Sequence, residues 1–329
     1  MKKKFHTVLL LMISCHNSFD TRSELKPDTP KVQLFEPGII STELNELNAT
    51  FSPDGSVMLY TIANNSSSHT FYTIFISQKR HGEWSPPTIA PFSGQFSDAD
   101  PFFAPNGNGL YFISVRPRSG VGEAQEDFDI WYVGYENDRW LTPQNVGDSV
   151  NSNKDELYPA VSLNGNLFFS RETDNGYDIL MSNPASTGFR AASALKGGVN
   201  TNAVEYDAYV SPDERYMIFT AIGRDDSRGS GDLYISYNYN GEWSLGENLG
   251  DEINSAFMDQ CPAMSPDGTR FLFTSFRDNK SFSFQRPIMT DDYLKILSSP
   301  FNGLGNIFWV SSPHIFGAYS SDSNAPVSY

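Results

Sequence analysis

Five acidic residues of this 329-residue chain stand at one register of a repeating pattern: Glu46, Asp98, Glu156, Glu205 and Asp259. An arginine follows four of them, as Arg116, Arg171, Arg224 and Arg277, and Asn64 takes that place in the first repeat. A carboxylate and a guanidinium brought together make a charge-assisted, two-pronged ion pair, and repetition in every unit suits that structural use. A carboxylate lacking its arginine is free to hold a cation or the hydroxyls of a glycan, and Glu46 opposite Asn64 is the place to expect one. Other chemistry is sparse. The histidines are His6, His16, His69, His81 and His314, without an HExxH pair or any zinc-ligand spacing, and there is no G-x-S-x-G elbow. No metal site, nucleotide-binding loop or cofactor is expected, and two carboxylates facing each other across a cleft are the one plausible acid/base pair.

The elements that must position these residues come from an internal repeat. NATFSPDGSVMLYT (48–61), DPFFAPNGNGLYFIS (100–114), YPAVSLNGNLFFS (158–170), DAYVSPDERYMIFT (207–220) and CPAMSPDGTRFLFT (261–274) are variants of one pattern, with Ser52, Ala104, Ser162, Ser211 and Ser265 as anchors. Each reads as a hairpin: an apolar strand, a Pro-Asp-Gly or Asn-Gly type turn, and a second apolar strand. A third strand follows in each repeat (TIFISQ, DIWYVGY, DILMS, DLYIS, NIFWVSS), and an outer strand follows a Trp-containing turn, as in GEWSPPTIAPF and GEWSLGENLG. Four antiparallel strands per repeat make a propeller blade. The last repeat stops at its third strand while KVQLFEPGIIST (31–42) precedes the first, so the N-terminal strand is expected to complete the last blade and close the ring. The prediction is an all-β propeller of five blades, or six if 277–305 holds degenerate strands; within that segment TDDYLKILSS (290–299) reads as a short helix.

The SPDG turns, the arginine after the second strand and the D-[IL]-[WY] third strand resemble the TolB-type, WD40-like Pro-Asp repeats of bacterial periplasmic propellers over roughly residues 31–316. The resemblance implies the fold. It also implies a docking platform for a protein or glycan of the cell envelope, and that binding or scaffolding role is the expected function. No counterpart of the TolB N-terminal domain is present, so the Tol–Pal role does not follow. The alternative is a propeller glycoside hydrolase. The arginines, the acids and Tyr158 and Tyr206 near one mouth resemble the furnishing of sialidases, although the sialidase Asp-box is not matched and repeat-equivalent residues are poor candidates for a site that must break symmetry.

At the N-terminus, MKKKFH followed by TVLLLMIS and Cys15 is a basic, then apolar, export signal too short to span a bilayer. Met12-Ile13-Ser14-Cys15 resembles a bacterial lipobox, with Cys15 as the lipidated residue. This divides the chain into a signal peptide (1–14), a polar tether (15–30), one propeller (31–316) and a tail (317–329). It places the protein in the periplasm or at the cell surface, touching the membrane only through its lipid. Cys261 is then the remaining thiol, so no disulfide is expected and the protein is read as a monomer. The net charge of −16 repels phosphate backbones, which argues against nucleic acid.

Short polar residues at strand entrances (Asp129, Asp178, Asp232, Asn306, and the Asn residues of VNSN, VNTN and INSA) read as backbone caps. Trp84, Trp140, Trp243, Trp131 and Trp309 read as packing between blades. Two insertions, 116–128 and 277–305, lie on the face with the acids, and Phe282, Phe284, Ile288 and Met289 in the second would cover the channel or meet a partner.

Overall fold

The computed structural model describes residues 32–66, 69–277, 286–313 and 315. The lipobox with Cys15, the tether, the tail after 316, and Phe282 and Phe284 lie outside these residues.

Five antiparallel sheets form the five blades of a propeller. Counted outward, the first comprises Asn45–Phe51, Val57–Ala63, Tyr72–Arg80 and the short outer pieces Glu83–Trp84 and Thr88–Ile89. The second has Asp98–Phe103, Gly109–Ser114 and Asp129–Glu136, the third Glu156–Val161, Leu167–Thr173 and Gly176–Ser182, and the fourth Val204–Val210, Tyr216–Ile222 and Asp232–Tyr239, each with a short outer edge. The fifth is built from Asp259–Met264, Arg270–Ser275 and Asn306–Ser311, and its outer strand is Gln33–Leu34 from the N-terminal side. That pairing closes the ring as expected, although with a two-residue strand instead of most of 31–42. The segment after Arg277 contributes the helix Thr290–Leu297, not a sixth blade.

Each middle strand is apolar on both faces because each blade is sandwiched between two others. In Val57–Ala63, Met58 and Tyr60 pack towards the fifth blade with Phe35, Ile40 and Leu272, while Leu59 packs towards the second with Phe103, Leu110 and Trp131. Met217 and Phe219 meet the third blade and Ile218 the fifth. A strand buried on two faces loses the apolar/polar alternation of an ordinary surface strand, which is why these stretches read as near-continuous apolar runs. Trp84, Trp131 and Trp243 are buried in these inter-blade cores, and Trp140 and Trp309 pack against them.

The inner hairpins turn at Gly55, Gly107, Gly165 and Gly268, all at positive φ, a conformation that glycine adopts without Cβ strain. In the fourth blade Glu214 holds this position at φ 59, and its carboxylate accepts from Asn164 and Asn166 of the third blade. Asn151, Asn200 and Asn254 clamp the third strands: each binds both the N–H and the C=O of one residue, Ile130, Ile179 and Leu233 respectively. The same carbonyls also accept from the outer edge, from the N–H of Val146, Leu195 and Leu249, so the asparagines extend the pairing where that edge is short.

The acids and arginines form a repeated clip. Arg116 binds Asp98 at 2.6 Å, Arg171 binds Glu156 at 2.7 Å, Arg224 binds Glu205 at 3.0 Å and Arg277 binds Asp259 at 2.7 Å. The same guanidiniums donate to the carbonyls of Phe92, Val150, Val199 and Ile253, tying each blade to the loop that enters it. A hydroxyl completes each acid: Ser93, Ser152, Thr201 and Ser255. The four acids are fully buried. Removing one member of such a pair strands the other in the interior, at about 3–5 kcal/mol. Arg224→Met is therefore expected to lower the unfolding free energy by about that amount, and Arg224→Met with Glu205→Leu to recover most of it, as read by denaturant melts.

Candidate active site on the propeller axis

The innermost strand of every blade carries one extra residue. In the first blade Leu47 pairs with Thr61 and Ala49 with Tyr60, leaving Asn48 unmatched. The same register shift recurs between Ala99 and Phe102, Leu157 and Ala160, Tyr206 and Tyr209, and Gln260 and Ala263. At each shift one residue adopts left-handed backbone: Asn48, Asp100, Tyr158, Asp207 and Cys261, with φ between 45 and 54. Such a bulge re-aims a side chain, and here it aims five at the axis. The Tyr158 hydroxyl demonstrates this by crossing from the third blade to donate to the Pro262 carbonyl of the fifth at 2.8 Å.

This axial layer does not obey the repeat. Asp207 accepts from the Cys261 thiol at 3.3 Å and also from the Cys261 backbone N–H. Asp100 accepts from the Tyr158 N–H at 3.2 Å and remains partly open to the channel. Burial pushes the Asp100 carboxyl up to about 7, and burial with the nearby Asp100 charge pushes Asp207 well above the carboxylate range. With the charge of Asp100 opposing ionisation of Asp207, the pair retains at least one proton near neutrality. Burial also drives the Cys261 thiol and the Tyr158 phenol up, so both stay protonated.

Above the pair, on the side where the inner strands begin, aromatic residues ring the mouth. Tyr72 and Phe128 meet edge to face at 6.1 Å, and Tyr177 and Tyr206 lie 6.4 Å apart. Tyr177 donates to Asp155 at 3.3 Å and Tyr206 to Gln260 at 3.0 Å. Phe128 is delivered by the 116–128 insertion, which Arg118 pins to Asp129 at 2.6 Å and to the Ser152 carbonyl. All four rings are half-buried, with room to lie against a flat apolar face. A concavity of about 470 Å³ on the outer edge of the second blade, lined by Tyr132, Tyr135, Leu141 and Gln144, is remote from this pair.

The acids expected at the channel mouth stand two residues before the axial ones and point elsewhere. Asp98, Glu156, Glu205 and Asp259 are consumed by their arginines, each through one carboxylate oxygen, and form no open ring. Glu46 does lack an arginine, but Asn64 is exposed and bonds its own loop at Phe71 and His69. Glu46 is fully buried beneath Thr42, and burial pushes it up to about 7. Among the described residues no group of three His, Cys, Asp or Glu side chains is disposed to hold a metal ion. Asp100 and Asp207 do not stand out in the sequence by repetition, because their column varies from blade to blade. The available signal was the opposite one: four residues before each anchor the types run Asn, Asp, Tyr, Asp, Cys, the variable column in an otherwise regular motif.

No protein-family model and no curated protein matches the chain in sequence. Among solved structures it is similar to a glycoside hydrolase, with TM-score 0.53 and 10% identity over 85% of this chain and 90% of that one. The catalytic domain of a Coprinopsis cinerea GH62 α-L-arabinofuranosidase gives 0.46 and 12%, covering 86% of this chain and 97% of that one. Native Bacillus subtilis arabinanase gives 0.45 and 10%, covering 82% and 96%. At these identities the likeness is one of fold, and it is to the five-bladed propeller. The expectation of a binding or scaffolding module is corrected here: the solved structure that the chain resembles in fold at TM-score 0.53 is a glycoside hydrolase, and four of the five acids on which the docking mouth was built are taken up in internal ion pairs.

The raised Asp100 fixes the sign of a stability effect. Unfolded, the carboxyl loses its proton near pH 4; folded, it keeps it to about pH 7. Its ionisation thus costs stability progressively from about pH 4 to pH 7 and fully above that. Asp100→Asn is expected to raise Tm by about 2–5 °C at pH 8 and to leave it unchanged at pH 3.5, measured by calorimetry.

Proposed function

We propose that the chain is a glycoside hydrolase whose reaction takes place at the axial carboxylate pair. One observation carries the reading: Asp100 and Asp207, on non-adjacent blades, are placed together at the axis where the repeat breaks, with proton affinities raised into the range of acid/base work. Asp207, the more firmly protonated, is the proton donor to the departing glycosidic oxygen. Asp100, open to the channel, acts as base on a water molecule or as nucleophile at the anomeric carbon, the carboxyl separation in the substrate complex deciding between inversion and retention. Tyr72, Phe128, Tyr177 and Tyr206 give the sugar rings apolar faces to lie on. The overall likeness to a solved glycoside hydrolase supports the reading.

In this reading the Pro-Asp turns of TolB-type, WD40-like repeats are the scaffold of a hydrolase. The chain is an exported lipoprotein held at Cys15, with residues 15–30 as tether, acting as a monomer in the periplasm or at the cell surface, where polymeric glycans are met. Cys15→Ser is expected to move the protein from the membrane fraction of its cells to the soluble fraction.

The test is turnover of aryl glycosides and plant and microbial polysaccharides, with product anomers followed by NMR. Asp207→Asn and Asp100→Asn are each expected to lower kcat at least ~10³-fold while the fold persists, consistent with the loss of an acid/base group. An inert wild-type protein across the panel, or turnover indifferent to both substitutions, overturns the reading.

A further inference from the structure

The second blade departs from the repeat at its outer rim as well as at the axis. Gly109 opens its second strand and pairs with Gly134 near the end of its third. In the other blades the same register holds Val57 with Gln78, Asn166 with Asn183, Tyr216 with Tyr237 and Arg270 with Ser311. Neither glycine adopts positive φ, so space and not backbone conformation calls for them. A Cβ at Gly109 would stand 2.4 Å from the Tyr132 hydroxyl and 2.5 Å from the Val133 carbonyl, and one at Gly134 would stand 2.9 Å from the Leu141 side chain. A glycine inside a strand marks a place where another group comes close. Gly134 lies in the lining of the concavity of about 470 Å³ on this rim, a size within the range of ligand pockets, about 300–1,000 Å³.

The walls join an apolar flank to open hydrogen-bonding groups. Tyr132 is held against Tyr111 with ring centroids 5.0 Å apart, and its hydroxyl donates to the Asn108 carbonyl at 3.0 Å. Leu141, which is exposed, takes the place where the first and fourth blades have Ser85 and Ser244, whose hydroxyls accept from the third strand's own backbone. The exposed side chains of Asn108, Thr142 and Gln144 complete the lining and bond to no other side chain or carbonyl among the described residues. An apolar flank beside amides and a hydroxyl matches a sugar, with its C–H faces and its rim of hydroxyls. Glu136 is the one charged residue of the lining, and it repels acidic sugars. We propose that this concavity is a second glycan-binding site, which holds an uncharged polysaccharide. It sits beside the turn between the first and second strands, at the end of the blade away from the aromatic mouth, and so is a separate holding point and not an arm of the axial cleft. The inference rests on the proposed hydrolase for the purpose of the site, which is to keep the enzyme on the polymer that the axial pair cuts, while binding there needs no turnover.

The experiment titrates the full-length protein, carrying Asp100→Asn to prevent turnover, with soluble arabinan, xylan, β-glucan and polygalacturonate. It reads the Leu141 methyl resonances by ¹³C NMR, assigned with Leu141→Val. At least one uncharged polymer is expected to shift them saturably, and polygalacturonate is expected to leave them in place. Gly134→Gln, which puts the first blade's Gln78 into the concavity, is expected to weaken that binding at least ~10-fold by occupying the space. Gln144→Ala, on the exposed rim where folding is not at stake, is expected to weaken it about fivefold, as loss of one hydrogen bond does. No shift with any uncharged polymer, a shift with polygalacturonate alone, or unchanged affinity in both variants overturns the inference. In the active protein Gly134→Gln is expected to raise KM on the polymer and to leave kcat and the hydrolysis of aryl glycosides unchanged. Binding that both variants weaken in a protein without turnover leaves the inference standing and removes the hydrolase reading. Turnover with unmoved Leu141 resonances does the reverse.

Discussion

The rest of the molecule depends on one backbone constraint, the extra left-handed residue in each innermost strand. A non-glycine residue in that conformation costs about 1–3 kcal/mol, and this ring carries five. They persist because the surrounding structure over-determines them: pairing on both sides of the bulge and, at Asn48, Asp100 and Asp207, an amide bonded to a hydroxyl of the preceding blade. The consequence is that one side chain per blade leaves the sheet surface for the channel, where five chain segments distant in sequence converge.

Outside that layer the charged residues serve rigidity. In each Arg–acid pair the acid is sealed from water and bonded to a hydroxyl, and the guanidinium is bonded to a loop carbonyl, the condition under which buried charge is tolerated. Arg224 lies over Phe219 and Tyr234, and Arg277 over Phe273 and Phe308, so the guanidiniums also cap the inter-blade aromatic cores. A rigid ring is what an axial site requires, since its two carboxylates are held by different blades and their separation is set only by how the blades are fixed to one another.

The two layers also explain how a symmetrical fold carries an asymmetrical site. Clips recur where the function is mechanical, and substitution is free where the bulge faces the channel. Of the four apolar residues expected to cover the channel or meet a partner, Met289 is exposed at the start of the helix Thr290–Leu297, whose Tyr293, Leu294 and Leu297 are exposed as well while Ile296 is buried.

By itself the sequence determined the repeat, the hairpin turns, the ring closed by its own N-terminal strand, the short helix and the partnership of acids with arginines. These follow from local rules: turn chemistry, strand-length apolar runs and complementary charges recurring at fixed offsets. Tertiary structure decided which side chains meet at the axis. A one-residue bulge reverses the face to which the neighbouring positions point, and nothing in a period-two pattern announces where it falls. It therefore separated Asp98, sealed beneath Arg116, from Asp100, two residues on and open to the channel. Asp100 and Asp207 lie on blades that are not neighbours, and only closure of the ring brings them close enough for the charge of one to oppose ionisation of the other.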